Sequence, residues 1–420
     1  MDKTLEKLVT DGYSHRERVV GEFFEKESSR LAQACHQMAL RFHHGGRILA
    51  FGVGGAATDA QHIAVEFVHP VIVGKKALPA IAFPNDSPTL LGLSEQDPAS
   101  VFLRPLDLLG RPDDIAIGLS LYSDDPGVGA VAAALKEASA NGMMSLALVG
   151  PGQPIPGVEW VFQCDEPDPF IVQEVHETLY HVLWELVHVF FEHRGLLEGT
   201  AGGSHHDVGA SSFLYPFLSG TEKGLDSVLE QVRSSIILKA KEVIEVRARQ
   251  AERPHDLVEA ATLLATQFAE GRQVFAFGNG GSATDAQDLV TDLMFPPPGM
   301  RPLPAMSLTN EEAVITAVAN DVGFDNIFAR QLIAFGQPGD VAVGISTSGG
   351  SRNHLGALEE ARRRKMKTLA FVGYDGGETV ARGLADIAVI VDHDYIPRIQ
   401  EAQASQYHLV RLLTNEIISS

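Results

Sequence analysis

The 420-residue chain is short of several things, and each shortage excludes something. It carries only two cysteines, Cys35 and Cys164, too few for a disulfide framework, so a reducing, cytoplasmic compartment is expected. Positive charge is also scarce: 33 Lys and Arg stand against 54 Asp and Glu, a net of −21. That balance argues against direct binding of nucleic acid or of an anionic membrane surface, while leaving room for a local pocket for a small anion. Long apolar runs are missing. The longest candidate, HVLWELVHVFF, is interrupted by Glu185 and His188 and is too short to span a bilayer. The opening segment, MDKTLEKLVTDGYSHRERVV, is polar and lacks the apolar core of a signal peptide. What remains is a hydrophobic content of 45%, ordinary for a globular protein, over a length that fits two or three domains at roughly 100–200 residues each.

The chain repeats itself. FGVGGAATDAQ (Phe51 to Gln61) recurs as FGNGGSATDAQ (Phe277 to Gln287), 226 residues on. The register persists: Asn85 matches Asn310, Ser120 matches Ser346, Gln173 matches Gln400 and His181 matches His408. A spacing held this closely over so long a stretch means two copies of one domain, and is far too long for a solenoid. The expected boundaries are 1–194 for the first domain, 195–220 for a Gly- and Ser-rich linker, and 221–420 for the second. His205 and His206 in the linker read as solvated.

Each copy opens with a long helical pattern, about Asp2–His44 and Leu225–Glu270, and closes with another, Phe170–His193 and Pro397–Ser420. Between them lie short apolar runs: RILAFG, ALPAIAF, DIAIGLS, MSLALVG and WVFQC, then QVFAFG, LPAMSLT, DVAVGIS, KTLAFVG and IAVIV. Continuous apolar runs separated by helical stretches predict buried parallel strands covered on both faces. The expected fold is therefore α/β: two tandem doubly wound, flavodoxin-like parallel sheets, with ligands beyond the carboxyl ends of the strands.

Two sets of residues carry chemistry. In the second half, DVAVGIS runs into STSGGS, which puts the hydroxyls of Ser346, Thr347, Ser348 and Ser351 and two glycines at a strand-to-helix turn. Small residues let backbone amides reach an anion, and the next helix adds its dipole. A Ser/Gly turn with a helix cap is the other reading, and spacing leaves both open. The first-half counterpart, SLYSDDPG (Ser120 to Gly127), replaces small residues with Leu121 and Tyr122 and adds Asp124 and Asp125. Like charges repel, so this is a poor phosphate cradle; Asp124 alternatively caps the next helix. The second set lies on helices. His62 and Glu66 share one face, as do Gln173 and His181. Imidazole, carboxylate, amide and imidazole together suit general acid/base work or a divalent metal such as zinc, although a lone helix His is commonly a surface or core residue. The second half holds Asp288, Asp292, Gln400 and His408 at these positions, which weakens a zinc reading there and keeps an acid/base pair.

On these motifs, each half resembles the sugar isomerase (SIS) domain, and within it the phosphoheptose isomerases. The second half carries FGNGGSATDAQ, SLTN, VANDVGFDNIFARQ, GISTSGGS and RIQEAQASQYH; the first carries FGVGGAATDAQH, IAVE and IVQEVHETLYH and diverges in its middle. The resemblance implies conversion of sedoheptulose 7-phosphate to an aldoheptose 7-phosphate by proton transfer through an enediol. It implies a base at Glu66 or Asp292 and an acid at His181 or His408. It implies zinc on His62, Glu66, Gln173 and His181, a set complete only in the first half. It places Ser346, Thr347, Ser348 and Ser351 on the phosphate, complete only in the second half, and Asn279, Ser282 and Gln400 near the substrate. Ala56 stands where the first half would have that serine. Pro70 and Pro296 replace an arginine expected just past the first helix. The expected division of labour gives catalytic or metal groups to the first half and the phosphate loop to the second, and fusion offers a way to set Glu66 and His181 against that loop. The rival expectation is a non-catalytic SIS regulator that senses a sugar phosphate or binds a protein. Related isomerases assemble as tetramers of single domains, which implies a homodimer of tandem chains.

Overall fold

The computed structural model describes residues 2–71, 75–122, 126–152, 155–198 and 224–420. Asp124, Asp125, His205 and His206 lie outside the described residues. So does the expected linker from residue 199 onward; its first residues belong to a short helix, Arg194–Glu198.

Ten strands among the described residues form two five-stranded sheets. The first sheet holds β1 (Ile48–Gly52), β2 (Ala80–Ala82), β3 (Ile115–Ser120), β4 (Met144–Val149) and β5 (Trp160–Gln163), in the order β2-β1-β3-β4-β5. The second holds β6 (Val274–Phe277), β7 (Ala305–Ser307), β8 (Val341–Ser346), β9 (Lys367–Gly373) and β10 (Ile387–Val391), in the order β10-β9-β8-β6-β7. Read from its other edge, the second order is the first order repeated. Every pairing is parallel, with Ile48 opposite both Ala80 and Ile115 in one sheet and Val274 opposite both Ala305 and Val341 in the other. This is the flavodoxin-like winding expected from the apolar runs. The central strands β1, β3, β4, β6 and β8 are buried along their whole length, as strands covered on both faces must be.

The repeat extends to atomic detail. Asp114, at the foot of β3, accepts from Arg47 N at 3.0 Å and Arg111 N at 3.0 Å. Asp340, at the foot of β8, accepts from Gln273 N at 3.1 Å and Gln337 N at 2.8 Å. Each buried carboxylate ties the starts of two neighbouring strands together and satisfies amides that the sheet leaves unpaired.

The described chain divides into two compact units, Val19–Lys241 and Met1–Arg18 with Glu242–Ser420. The unbroken helix Asp2–His43 therefore gives its first turns to the unit holding the second sheet and the rest to the unit holding the first. In the former, Leu5, Val9 and Tyr13 join a core with Leu264, Val343, Phe371 and Leu409. The long helix expected over Leu225–Glu270 is instead two, Leu225–Ala251 and Pro254–Ala269. Proline disfavours helical backbone at the residue before it, and Arg253 sits at φ −123°, ψ 52°.

Candidate functional site

In this winding the chain reverses direction across the sheet between the first and third strands of each set, and the loops leaving those strands open a crevice. The loop after the first strand is built alike in both units. A Cβ on Gly52 would lie 2.4 Å from Ala56 O, and one on Gly278 2.2 Å from Ser282 O, so only glycine lets the strand turn straight into the helix. The helices that follow, Gly55–Val68 and Gly281–Met294, carry the candidate carboxylates, and the closing helices, Pro169–Glu192 and Ile396–Ser419, carry the imidazoles.

In the first unit these come together. His62, Glu66 and His181 are all buried, and one donor atom from each lies within 4.8 Å of the others. His62 Nε2 is 3.7 Å from Glu66 Oε1, and the two imidazoles meet edge to face with centroids 5.2 Å apart. Glu66 Oε2 is buried and accepts no hydrogen bond among the described residues. A buried carboxylate oxygen in that condition is costly unless a proton or cation meets it. Gln173 is also buried; its amide donates to Gly55 O at 3.1 Å and to Thr58 Oγ1 at 3.4 Å, fastening the closing helix to the first turn of the other. The donor set fits a zinc ion: two imidazoles and a carboxylate on two rigid helices, with the Gln173 amide at the end of the same face.

The second unit gathers the matching residues differently. His408 Nε2 lies 3.3 Å from Asp288 Oδ2 and 3.4 Å from Asp292 Oδ2. Tyr407 donates to Asp288 Oδ2 at 2.9 Å. Arg411, fully buried one turn beyond His408, donates from Nε to Asp292 O at 3.1 Å and from a terminal nitrogen to Arg301 O at 3.0 Å. Burial pulls the guanidinium's pKa down and the charge of Asp292 pushes it back up; an arginine keeps its charge at any working pH. Donor atoms of Asp288, Asp292 and His408 also lie within 4.8 Å of one another, but the set differs from that of the first unit: one imidazole and two carboxylates, with the Arg411 guanidinium bound to the Asp292 backbone. Gln400 is buried in the closing helix.

The hydroxyl loop lies at the end of β8. Ser346 is buried and its Oγ accepts from Gly349 N at 3.0 Å; Ser348 is exposed and its Oγ accepts from Gly350 N at 3.3 Å. Two amides expected to face an anion therefore donate within the loop and shape it. Thr347 and Ser351 are half-buried, and Ser351 starts the helix Arg352–Arg363 without using its side chain as a cap. The loop thus presents Thr347, Ser348 and Ser351 with the first amides of that helix. Gly349 sits at φ +60°, and a Cβ there would meet Gly376 O at 2.3 Å. Beside Ser348 an open groove of about 690 Å³ is lined by Tyr374, Asp375, Asp392, His393 and Asp394.

Asn279, expected near substrate, spends its amide elsewhere. Asn279 and Asn353 exchange two hydrogen bonds, at 2.9 and 2.8 Å, bridging the loop after β6 to the helix after β8. The first unit has Val53 and Gly127 at these positions, so the bridge is missing there. Ser282 is buried in the first turn of its helix. Sequence reasoning passed over Asn353, Tyr407 and Arg411. The available signal for Arg411 was its mismatch with Trp184 in the first half.

The profile of the SIS domain matches residues 13–150 and again 240–373. The chain belongs to the SIS-domain family. The phosphoheptose isomerase of Chlorobium phaeobacteroides is 40% identical over 198 residues, covering 46% of this chain and 86% of that protein. That of Chlorobaculum tepidum is 43% identical over 173 residues, covering 40% of this chain and 82% of that protein. Among solved structures, the C-terminal domain of glucosamine-fructose-6-phosphate aminotransferase from Francisella tularensis aligns over 98% of this chain and 96% of its own, with a TM-score of 0.56 at 9% identity. The tagatose-6-phosphate ketose/aldose isomerase from Escherichia coli covers 98% and 93%, with a TM-score of 0.53 at 13% identity. Those two likenesses are of fold: two SIS domains in tandem. No described helix is long and apolar enough to cross a membrane, and Cys35 and Cys164 are both buried free thiols.

Proposed function

We propose that this tandem SIS protein is an aldose–ketose isomerase of a phosphorylated sugar, with sedoheptulose 7-phosphate as the substrate to test first. The observation that carries the reading is the burial of Glu66 against His62 and His181 on two helices of the first unit; it is supported by phosphoheptose isomerases about 40% identical to one half of the chain. Isomerisation through an enediol moves a proton between adjacent carbons, and needs a base, an acid and a fixed anchor. Glu66 takes the proton from the carbon beside the carbonyl and returns it to the neighbouring carbon. His181 moves the proton between the two oxygens. Within the second unit, Thr347, Ser348 and Ser351 offer hydroxyls that suit a phosphate, and Asp375, Asp392 and Asp394 suit the hydroxyls of a sugar chain, which donate to carboxylates. His62, Glu66, Gln173 and His181 would hold zinc, which when bound supplies Lewis-acid polarisation of a substrate oxygen. Two such chains pairing would give four SIS domains, which light scattering would register.

Proton transfer of this kind exchanges with solvent. Incubation with sedoheptulose 7-phosphate in heavy water should yield aldoheptose 7-phosphate carrying deuterium at one carbon, and Glu66→Gln should lose both product and label by about 10²- to 10⁴-fold. Product from Glu66→Gln at the parent rate would overturn the assignment. The alternative reading is a regulator that senses a sugar phosphate. It is favoured by the altered Asp288–Asp292–His408 set, and it requires saturable binding of the sugar phosphate with neither product nor label.

A further inference from the structure

We infer that Arg411 is the resident counter-cation of the second unit, standing in the charge balance where the first unit leaves room for a metal ion. Asp288 and Asp292 are both buried, and each has an oxygen within 3.4 Å of His408 Nε2. Two buried carboxylates facing one imidazole keep an excess negative charge, and an uncompensated buried charge is expensive. Arg411 removes that excess. It is fully buried, and two hydrogen bonds to backbone carbonyls, Asp292 O and Arg301 O, fix its fork in place. Its remaining terminal nitrogen finds no hydrogen-bond acceptor among the described residues, so it contributes charge without being tied to a carboxylate oxygen.

The first unit differs in its cation. The residue matching Arg411 is Trp184, buried and uncharged. Glu66 Oε2 is buried and accepts nothing among the described residues. The carboxylate there is left for an exchangeable cation, whereas the second unit carries a tethered one. A fixed guanidinium beside the would-be ligands repels a divalent ion, so the two otherwise similar helix pairs separate into a site that takes metal and a site that refuses it.

The test is a count of zinc. Full-length protein is stripped with chelator, desalted, titrated with zinc by calorimetry and assayed for retained metal; cobalt gives an independent absorption spectrum. The wild-type chain should bind one ion. That ion should be lost in His62→Ala and kept in Asp288→Asn. Arg411→Met should bind a second ion at least 100-fold more tightly than any second ion on the wild type, and should lose it again when Asp288→Asn is added. Two ions on the wild type, one of them lost in Asp288→Asn, would overturn the inference, as would a folded Arg411→Met that gains none. Should Arg411→Met not fold, melting curves decide: zinc should raise the melting temperature of the wild type and of Asp288→Asn but not of Glu66→Gln, and loss of the shift in Asp288→Asn would overturn the inference. A wild type that binds no ion while Arg411→Met gains one would remove zinc from the first unit and leave the role of Arg411 standing, so the two claims fail separately.

Discussion

At the scale of single residues, two buried imidazoles, His354 and His176, are sensitive to acid. The His354 imidazole is fully buried, tilted at 60° against Phe277 with centroids 5.6 Å apart, and neither ring nitrogen has a hydrogen-bond partner among the described residues. Burial lowers its pKa to about 4. His176 in the first unit is lowered to about 3, again by burial, with a backbone contact at Val149 opposing. Above the ordinary histidine pKa, folded and unfolded forms are both neutral and stability does not depend on these groups. As pH falls below it the unfolded chain takes up protons that the native state refuses, so stability drops by about 1.4 kcal/mol per pH unit for each group until the folded pKa is reached. The unfolding free energy from urea titration should therefore fall between pH 7 and pH 5 by about 2 kcal/mol less in His354→Leu than in the wild type. An unchanged acid loss in the variant would show that His354 is protonated in the native state.

Between residues and the whole stand the loops and helices. Gly349 holds a left-handed turn where a Cβ would strike Gly376 O. Gly349→Ala should raise KM for a phosphorylated sugar about tenfold or more, the equivalent of about 1.4 kcal/mol, with a smaller effect on kcat. An unaltered KM would mean that the loop does not hold the phosphate. Elsewhere Lys239 on Leu225–Ala251 pairs with Glu185 on Pro169–Glu192, both buried. Lys239→Met should cost about 3–5 kcal/mol in chemical denaturation, because Glu185 stays buried with its ammonium partner removed, and adding Glu185→Leu should restore much of it. Equal losses in the single and double variants would contradict this. The strands were the most legible elements: an apolar run read the same way whether central or edge, and all ten are found where the sequence puts them. The helix over Leu225–Glu270 was misread because apolar periodicity continues across Arg253 while Pro254 forbids the backbone to follow. That the Gly349 and Gly350 amides donate within the loop was not legible, since serine hydroxyls can as well close a loop as receive a ligand.

At the scale of the whole molecule, duplication supplied two equal frameworks and substitution made them unequal. The frameworks remain close enough that Asp114 and Asp340 perform the same clamp. The sites do not: one unit keeps imidazoles around Glu66, and the other keeps the hydroxyl loop, the Asn279–Asn353 bridge and an arginine beside Asp292. Differences in motif letters, Glu66 against Asp292 and His62 against Asp288, were plain in the sequence. What they bring together was not, because Arg411 and Tyr407 are near the second set only once the closing helix is docked. The account rests on Glu66, rather than Asp292, being the working base. Turnover of sedoheptulose 7-phosphate by Glu66→Gln and Asp292→Asn, measured side by side on folded protein, tests this most directly. Glu66→Gln should fall by 10²-fold or more and Asp292→Asn should keep about a tenth or more of parent activity; the reverse order would contradict the account.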